Sequence, residues 1–208
     1  MNSRDSILTK LRASIAGQGN TGFIAQRDAF TEEPDANPLE RYIELAEAEA
    51  TTISSVADWS DVPDAVARYL QANGLSLRVV IDSQAPVTAW QEAGVETAIL
   101  PLNKDGDVFL SDCYGAVAES GAIVISSNDG TAIANDFLAE THIILLRVSR
   151  IFLSLADLWQ TLRDEAAGGP MPREFCLVTG PSRTADLGVP AKLGAHGPAR
   201  VHVVIVDA

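Results

Sequence analysis

Hydrophobic residues recur every three or four positions in four segments of the chain, and this spacing predicts four helices. The segments are Ile7–Ile15, Leu39–Ala46, Val62–Leu70 and Leu155–Leu162. Short apolar runs rich in β-branched residues lie among them and predict strands. These runs are Thr51–Val56, Leu77–Asp82, Val95–Leu100, Ala122–Ser126, His142–Val148, Phe175–Thr179 and Val201–Val206. Several are apolar throughout, which is typical of strands covered on both faces.

The ends of the predicted helices carry matching polar residues. Asn37, Pro38 and Glu40 suit the N-cap, N1 and N3 positions of the second helix. Gly74 suits a left-handed end to the third helix, and Ser154 suits the N-cap of the fourth. The limits of these three helices are therefore predicted as well as their periodicity.

The order of elements predicts an α/β domain. Strands that alternate with helices favour βαβ crossovers and a single, largely parallel sheet flanked by helices. A stretch rich in Gly, Asn and Thr at positions 17–22 separates the first helix from the others. We therefore predict an N-terminal helix and connector over residues 1–36 and one α/β domain over residues 37–208.

Composition and charge narrow the classes of function. The chain has 208 residues, of which 47% are hydrophobic, and its net charge is −13. A field of that sign repels phosphate backbones, so a nucleic-acid partner is not expected. The apolar runs are far shorter than the roughly 18 residues of a transmembrane helix, which predicts no transmembrane segment and a cytoplasmic location.

The densest group of turn-forming and polar residues follows the predicted strand at Phe175. It comprises Gly180, Pro181, Ser182, Arg183, Thr184 and Asp186. At the carboxyl end of a parallel strand, glycine permits close backbone approach, and free N–H groups, hydroxyls and a guanidinium bind anions. The segment therefore predicts a site for a small anionic ligand. A β-turn with a helix cap would explain the same residues.

Two further segments carry candidate chemistry. His196 precedes Gly197 in a constrained turn, where its imidazole could bind an anion or transfer a proton, or could simply cap a strand end. Glu119 lies among small and apolar residues, just before Gly121 and a buried strand. We expect its carboxylate to be buried, either as a ligand, base or nucleophile, or as the partner of an arginine.

No metal site is predicted. Cys113 and Cys176 are the only cysteines, so the chain cannot supply the four thiolates of an iron–sulfur cluster. His142 and His202 lie inside apolar strands, where a hydrogen-bonded structural role is expected. Cys113 has no histidine near it in sequence and suits a small buried hydrophobe.

The segments around these residues resemble a known family. AVAESGAIVI, with Glu119 and Gly121, and the tail from Val178, with Gly180, Ser182, Thr184, Asp186 and His196-Gly197-Pro198, resemble signatures of the lactate-utilisation protein C family (LutC/YkgG), the LUD domain. The specific motifs cover residues 116 to 206. One departure is Leu187-Gly188, where the family usually has Ile-Glu after the aspartate.

The resemblance implies a fold similar to the NagB/RpiA/CoA-transferase-like group. It also implies a subunit, without redox centres or cofactors of its own, of a complex that oxidises L-lactate to pyruvate alongside two partner proteins that carry iron–sulfur clusters. Two other functions are compatible with the residues. One is an independent transferase- or ligase-like enzyme that uses Glu119, and the other is an anion-binding sensor or scaffold.

The purified chain should be colourless and should contain no stoichiometric iron, because two cysteines and three dispersed histidines form neither a cluster nor a closed metal site. Elemental analysis and an absorption spectrum of the isolated protein check this expectation. Iron at one or more equivalents per chain would contradict it.

Overall fold

In the computed structural model the chain divides into two compact units, Met1–Asp35 and Ala36–Ala208. The structure describes residues 3–16, 37–81, 87–102, 106–127, 133–167, 169, 171–184 and 192–207. The first unit contains helix α1, Ser3–Ala16, which is the predicted N-terminal helix. All other described elements belong to the second unit.

The second unit contains helices on several sides of its strands. The helices are α2 (Pro38–Ala48), α3 (Val62–Ala72), α4 (Val87–Glu92), α5 (Ala134–Leu138) and α6 (Leu155–Ala166). The strands are β1 (Thr52–Val56), β2 (Arg78–Ile81), β3 (Glu96–Ile99), β4 (Val108–Asp112), β5 (Gly115–Val117), β6 (Ala122–Ser126), β7 (Thr141–Arg147), β8 (Ile151–Phe152), β9 (Phe175–Val178), β10 (Arg183–Thr184), β11 (Lys192–Leu193) and β12 (Arg200–Val206). None of the helices in the described ranges is long and apolar enough to cross a membrane.

Six of the described strands form a parallel sheet in the order β1-β12-β7-β4-β2-β3. The pairs of β12 with β1 and with β7 are both parallel and run along nearly the whole length of the strands. The predicted α/β fold, with a largely parallel sheet flanked by helices and an N-terminal helical extension, is confirmed.

Alternate residues of β12 contribute to two different hydrophobic cores. Val204 and Val206 pack with α3, α4 and Ile143 of β7. Val203 and Ile205 pack with α2 and with strands β5 and β6. Because both faces of the strand are covered, six consecutive residues of β12 are buried, as its uninterrupted apolar run predicts.

A second sheet, in the order β8-β5-β6-β9, covers the α2 side of the parallel sheet. Its other face packs against Leu158 and Leu162 of α6. The expectation that all the strands share one sheet is therefore wrong, because β6 pairs antiparallel with both β5 and β9. Only four residues separate β5 from β6, which permits a hairpin but not the crossover that a parallel pair requires.

The sequence pattern does not reveal β4, although β4 lies between β7 and β2 in the parallel sheet. Only its first three residues form an apolar run, and Ser111 and Asp112 follow them. The Ser111 hydroxyl donates to Asp136 Oδ1 at 3.0 Å and lies 2.8 Å from Nε2 of His142. These partners, which are distant in sequence, satisfy the hydrogen-bonding groups of Ser111 inside the sheet. Local periodicity does not reveal them.

The predicted helix caps are present. The side chain of Asn37 accepts a hydrogen bond from the N–H of Leu39 at 3.1 Å. Ser154 and Asp157 form a reciprocal capping box at the start of α6. Gly74 adopts a left-handed φ of 63° directly after α3. Local sequence therefore fixes where these helices begin or end.

His142 and His202 are buried and hydrogen-bonded, as expected for structural histidines. Nδ1 of His202 lies 2.9 Å from Thr52 Oγ1, and Nε2 lies 3.0 Å from Ser54 Oγ. The ring stacks on Tyr69 with 3.9 Å between centroids. Burial lowers the pKa of His202 from 6.5 to about 4, because the interior disfavours the charged imidazolium.

The free energy of unfolding should decrease as the pH falls from 6.5 to about 4. In this window the unfolded chain binds a proton at position 202 that the folded chain does not, which favours unfolding by a total of roughly 3 kcal/mol. His202→Asn removes this contribution, so urea unfolding at a series of pH values should give a smaller loss for the variant.

Val204→Ala is the matched control, because it truncates a buried side chain of the same strand that does not titrate. It should lower stability by the same amount at every pH. Parallel stability curves for the wild type and His202→Asn across this window would contradict the prediction.

Candidate functional site

Glu119 lies in the turn between β5 and β6, and its side chain is exposed. The expectation of a buried carboxylate is therefore wrong. Its small and apolar neighbours Ala116, Val117 and Ala118 are buried, but the turn directs Glu119 outward. Its Oε1 accepts a hydrogen bond from the backbone N–H of Leu155 at 2.7 Å, so the carboxylate caps the first turn of α6.

Gly121 ends the same turn and lies directly against the last turn of α2. It has a φ of 65°, and a Cβ atom at this position would be 2.8 Å from both Ala46 N and the carbonyl carbon of Leu45. Only glycine satisfies both the left-handed conformation and the close approach. Gly121 therefore fixes the distance between the Glu119 turn and α2.

Gly180 makes a second close approach to the end of α2. It has a φ of 79°, and a Cβ atom there would collide with the carbonyl oxygen of Glu49. Ile123 of β6 pairs with Val178 of β9, so Gly121 and Gly180 lie just beyond one end of this antiparallel pair. The turn with Glu119 and the turn with Pro181 are thus neighbours against the same helix end.

Ser182 joins its turn to the His196 loop. Its N–H donates to the carbonyl of Pro198 at 2.9 Å, and its own carbonyl accepts from the N–H of Gly194 at 3.0 Å. Its Oγ accepts from the backbone N–H of His196 at 3.4 Å. A Cβ atom on Gly197 would lie 3.3 Å from the Cβ of Ser182. Two of the predicted segments are therefore in direct contact.

Arg183 and Thr184 form strand β10, which pairs with Lys192 and Leu193 of β11 in a short antiparallel ladder. The guanidinium of Arg183 donates through Nη2 to the carbonyl oxygen of Glu49 at 3.4 Å. The side chain of Thr184 and all of Asp186 lie outside the described residues. The side chain of Arg183 therefore contacts the same end of α2 as Gly180.

The three predicted segments lie near one another, but for a different structural reason from the one predicted. Phe175–Val178 is an edge strand of the second sheet, so the turn after it does not lie at the carboxyl end of a parallel strand. The segments meet because two glycine-containing turns pack on α2 and because Ser182 contacts the loop before β12. The sequence places Leu45–Glu49 at the end of a predicted helix, but it carries no sign that two turns pack against that end.

Arg183 exposes a guanidinium in this cluster, and Glu119 and His196 expose a carboxylate and an imidazole. The carboxylate and the imidazole can accept, donate and transfer protons, and the hydroxyl hydrogen of Ser182 remains able to donate, since its Oγ acts as an acceptor toward His196 N–H. Cys113 is remote from such chemistry. Its thiol donates to the carbonyl of Leu145 at 3.3 Å, and burial raises its pKa well above the ordinary range. The described residues contain no group of three or more side chains suited to a metal ion.

The parallel sheet, the second mixed sheet and the paired glycine turns define an α/β protein with one compact cluster of polar turns. The family model of the LUD domain matches residues 39–206, which include both sheets and every one of these turns. The chain belongs to the LUD domain family.

Curated relatives and one solved structure resemble parts of the chain. A lactate utilization protein C of Oceanobacillus iheyensis is 24% identical over 115 residues, 55% of this chain and 48% of that protein. That of Bacillus pumilus is 32% identical over 124 residues, 58% and 51% respectively. A lactate utilization protein B of Geobacillus thermodenitrificans is 32% identical over 104 residues, 49% of this chain and 20% of that protein.

The aligned region thus spans about half the length of the protein C relatives. The crystal structure of a DUF162 family protein from Deinococcus radiodurans superposes with a TM-score of 0.61. The match covers 81% of this chain and 96% of that one at 20% sequence identity, and it shows a shared fold.

Gly121→Ala should lower the free energy of unfolding by about 2 kcal/mol more than Gly74→Ala, because the methyl group collides with the α2 backbone. The two glycines have nearly the same φ, 65° and 63°, but nothing lies within 4 Å of a Cβ atom at Gly74. Their difference isolates the close approach from the cost of the left-handed conformation. Equal losses in urea unfolding would show that the turn does not depend on this contact.

Proposed function

We propose that this chain acts in lactate utilisation, as a subunit of a complex that oxidises L-lactate to pyruvate. The observation that carries the proposal is the LUD domain match over residues 39–206, together with relatives named lactate utilization proteins B and C. Parts of this chain align with relatives of both names, which supports a role for it within one shared process.

The oxidation of lactate releases two electrons and two protons, so the complex needs an electron acceptor. Cys113 and Cys176 are the only thiols of the chain, and Cys113 is held in the core by its hydrogen bond to Leu145. We therefore assign the redox centres to two partner subunits that carry iron–sulfur clusters. The contribution of this chain is a surface and a ligand site.

The ligand site is assigned to the cluster of polar turns. Ser182 provides a hydroxyl, and the backbone of Gly180 and Gly197 provides N–H groups of the kind that hold a carboxylate. His196 supplies a donor at the same place, since its backbone already contacts Ser182 Oγ. Thr184 and Asp186 complete the assigned set, and Glu119 belongs to the neighbouring turn, in which Gly121 packs against the same end of α2 as Gly180.

Glu119 acts here as a positioning and proton-accepting group and not as a nucleophile. One of its oxygens is held by the N–H of Leu155, and the start of α6 stabilises its negative charge. Stabilisation of this charge makes the carboxylate a weaker nucleophile. This geometry favours the subunit over an independent transferase that uses Glu119.

The purified chain alone should give no lactate-dependent dye reduction, whereas deletion of its gene should abolish growth on L-lactate. Growth on pyruvate should remain normal, because the block lies before pyruvate. When the tagged chain is purified from cells grown on lactate, two iron–sulfur proteins should accompany it. Robust lactate oxidation by the isolated chain would make the subunit assignment wrong.

Complementation of the deletion strain tests the ligand site. Ser182→Ala should restore growth on L-lactate less well than the wild type, because it removes the hydroxyl beside the His196 loop. Ser60→Ala is the matched control, since Ser60 is exposed in the short 3-10 helix Trp59–Asp61 and belongs to none of the turns. Equal growth of the two variants would remove Ser182 from the site.

A further inference from the structure

A cavity of about 310 Å³ lies at the amino-terminal ends of β1 and β12. Its polar side chains belong to Thr52, Tyr69, Asn73, Arg183 and Arg200. Pro181, Leu193 and small residues at the starts of the two strands complete the wall. Ser182, His196 and Glu119, which belong to the ligand site assigned above, are not among the described residues that line this cavity.

Two guanidinium groups are the charged groups of this wall, and no carboxylate stands among the described residues that line it. Arg200 uses Nη1 for Glu140 Oε1, at 3.1 Å, and for Thr141 Oγ1, at 3.4 Å. Arg183 uses Nη2 for a carbonyl oxygen of Glu49. Each guanidinium carries five N–H donors, so both retain donors for a further acceptor.

The two arginines bring two positive charges to this cavity, although the net charge of the chain is −13. The end of α3 also faces this cavity, and a helix C-terminus by itself disfavours an anion. Here the carbonyl of Tyr69 is already paired with the backbone N–H of Asn73 at 3.1 Å and with its side-chain amide at 2.8 Å. The arginines therefore dominate the electrostatic potential in the cavity.

The floor of the cavity is held in place by buried groups. Thr52 Oγ1 lies 2.9 Å from Nδ1 of His202 and 3.2 Å from the carbonyl of Val201. Tyr69 stacks on the ring of His202. These contacts hold the side chains of Thr52 and Tyr69 in fixed positions, so the floor of the cavity loses little conformational freedom when a ligand binds.

We propose that this cavity binds a small organic anion, whose carboxylate or phosphoryl group accepts hydrogen bonds from Arg183 and Arg200. Planar guanidinium groups match both kinds of oxyanion, and two of them suit a group with two or three oxygens. Pro181, Leu193 and Val201 provide apolar contacts for a short carbon chain. The proposal stands independently of the lactate complex, because it rests on the side chains around this cavity.

Isothermal titration calorimetry of the full chain with L-lactate, pyruvate and inorganic phosphate, at constant ionic strength, tests the site. At least one of these probes should bind saturably at millimolar concentrations. Arg183→Gln and Arg200→Gln should each weaken that binding by at least about tenfold, since each removes charge-assisted hydrogen bonds. Binding of lactate or pyruvate would identify a carboxylate ligand, and binding of phosphate alone a phosphoryl ligand.

Two further variants sharpen the result. Glu140→Gln removes the carboxylate that competes for Nη1 of Arg200, so it should tighten anion binding. Arg173→Gln removes an exposed arginine that does not line the cavity, and it should change the affinity by less than about twofold. Circular dichroism and thermal unfolding should show that all the variants are folded.

The site is overturned if none of the three probes binds saturably, or if folded Arg183→Gln and Arg200→Gln bind as tightly as Arg173→Gln. Retention of lactate-supported growth by these variants would not bear on it, because the calorimetric readout is independent of the complex. Conversely, loss of anion binding with normal growth would leave the lactate proposal standing. The two proposals therefore fail in distinguishable ways.

Discussion

The burial of β12 on both faces is the constraint on which the rest of the second unit depends. Alternate residues of one strand supply two cores, with α3 and α4 on one side and α2 with the second sheet on the other. A single shift in register would exchange the two sets of side chains, including His202 and its partners Thr52 and Ser54. The strand also fixes the position of the His196 loop, which leads into it, and of Arg200, which is its first residue.

Where the polar turns meet, the contacts are made by backbone atoms that approach closely, and not by packed side chains. Gly121 and Gly180 both lie against the last turn of α2, and neither contact leaves room for a Cβ atom. The glycines of the two motifs therefore act as spacers, and the polar residues that follow or precede them are positioned as a consequence. Glu119 gains its N–H partner at the start of α6 through the same turn.

The two proposed sites use neighbouring residues of one short segment. Ser182 contacts the His196 loop, whereas Pro181 and Arg183 face the cavity at the start of β1 and β12. Occupation of the cavity by an anion would draw on Arg183, whose guanidinium donates to the end of α2. This segment thus connects the cavity to the turns that carry the family signatures. The connection runs along the chain itself and also through contacts with the end of α2.

Local sequence by itself determined a large part of this protein. Helical periodicity and the caps at Asn37, Gly74 and Ser154 fixed three helices, and continuous apolar runs identified most of the parallel strands, because these signals arise from contacts between residues near in sequence. The segments around Glu119 and Ser182 identified the family, because they resemble its signatures. The buried histidines were recognised for the same reason, since a polar residue in an apolar strand requires a partner.

Tertiary structure alone decided the rest. Strand pairing depends on residues distant in sequence, so the second sheet and the polar strand β4 left no local pattern, and β6 and β9 were assigned to the wrong sheet. The exposure of Glu119 followed from the path of a turn and not from its apolar neighbours. The cavity joins side chains from Thr52 to Arg200. Arginines that lie 17 positions apart in the sequence become neighbours only when a hairpin and a strand pack together.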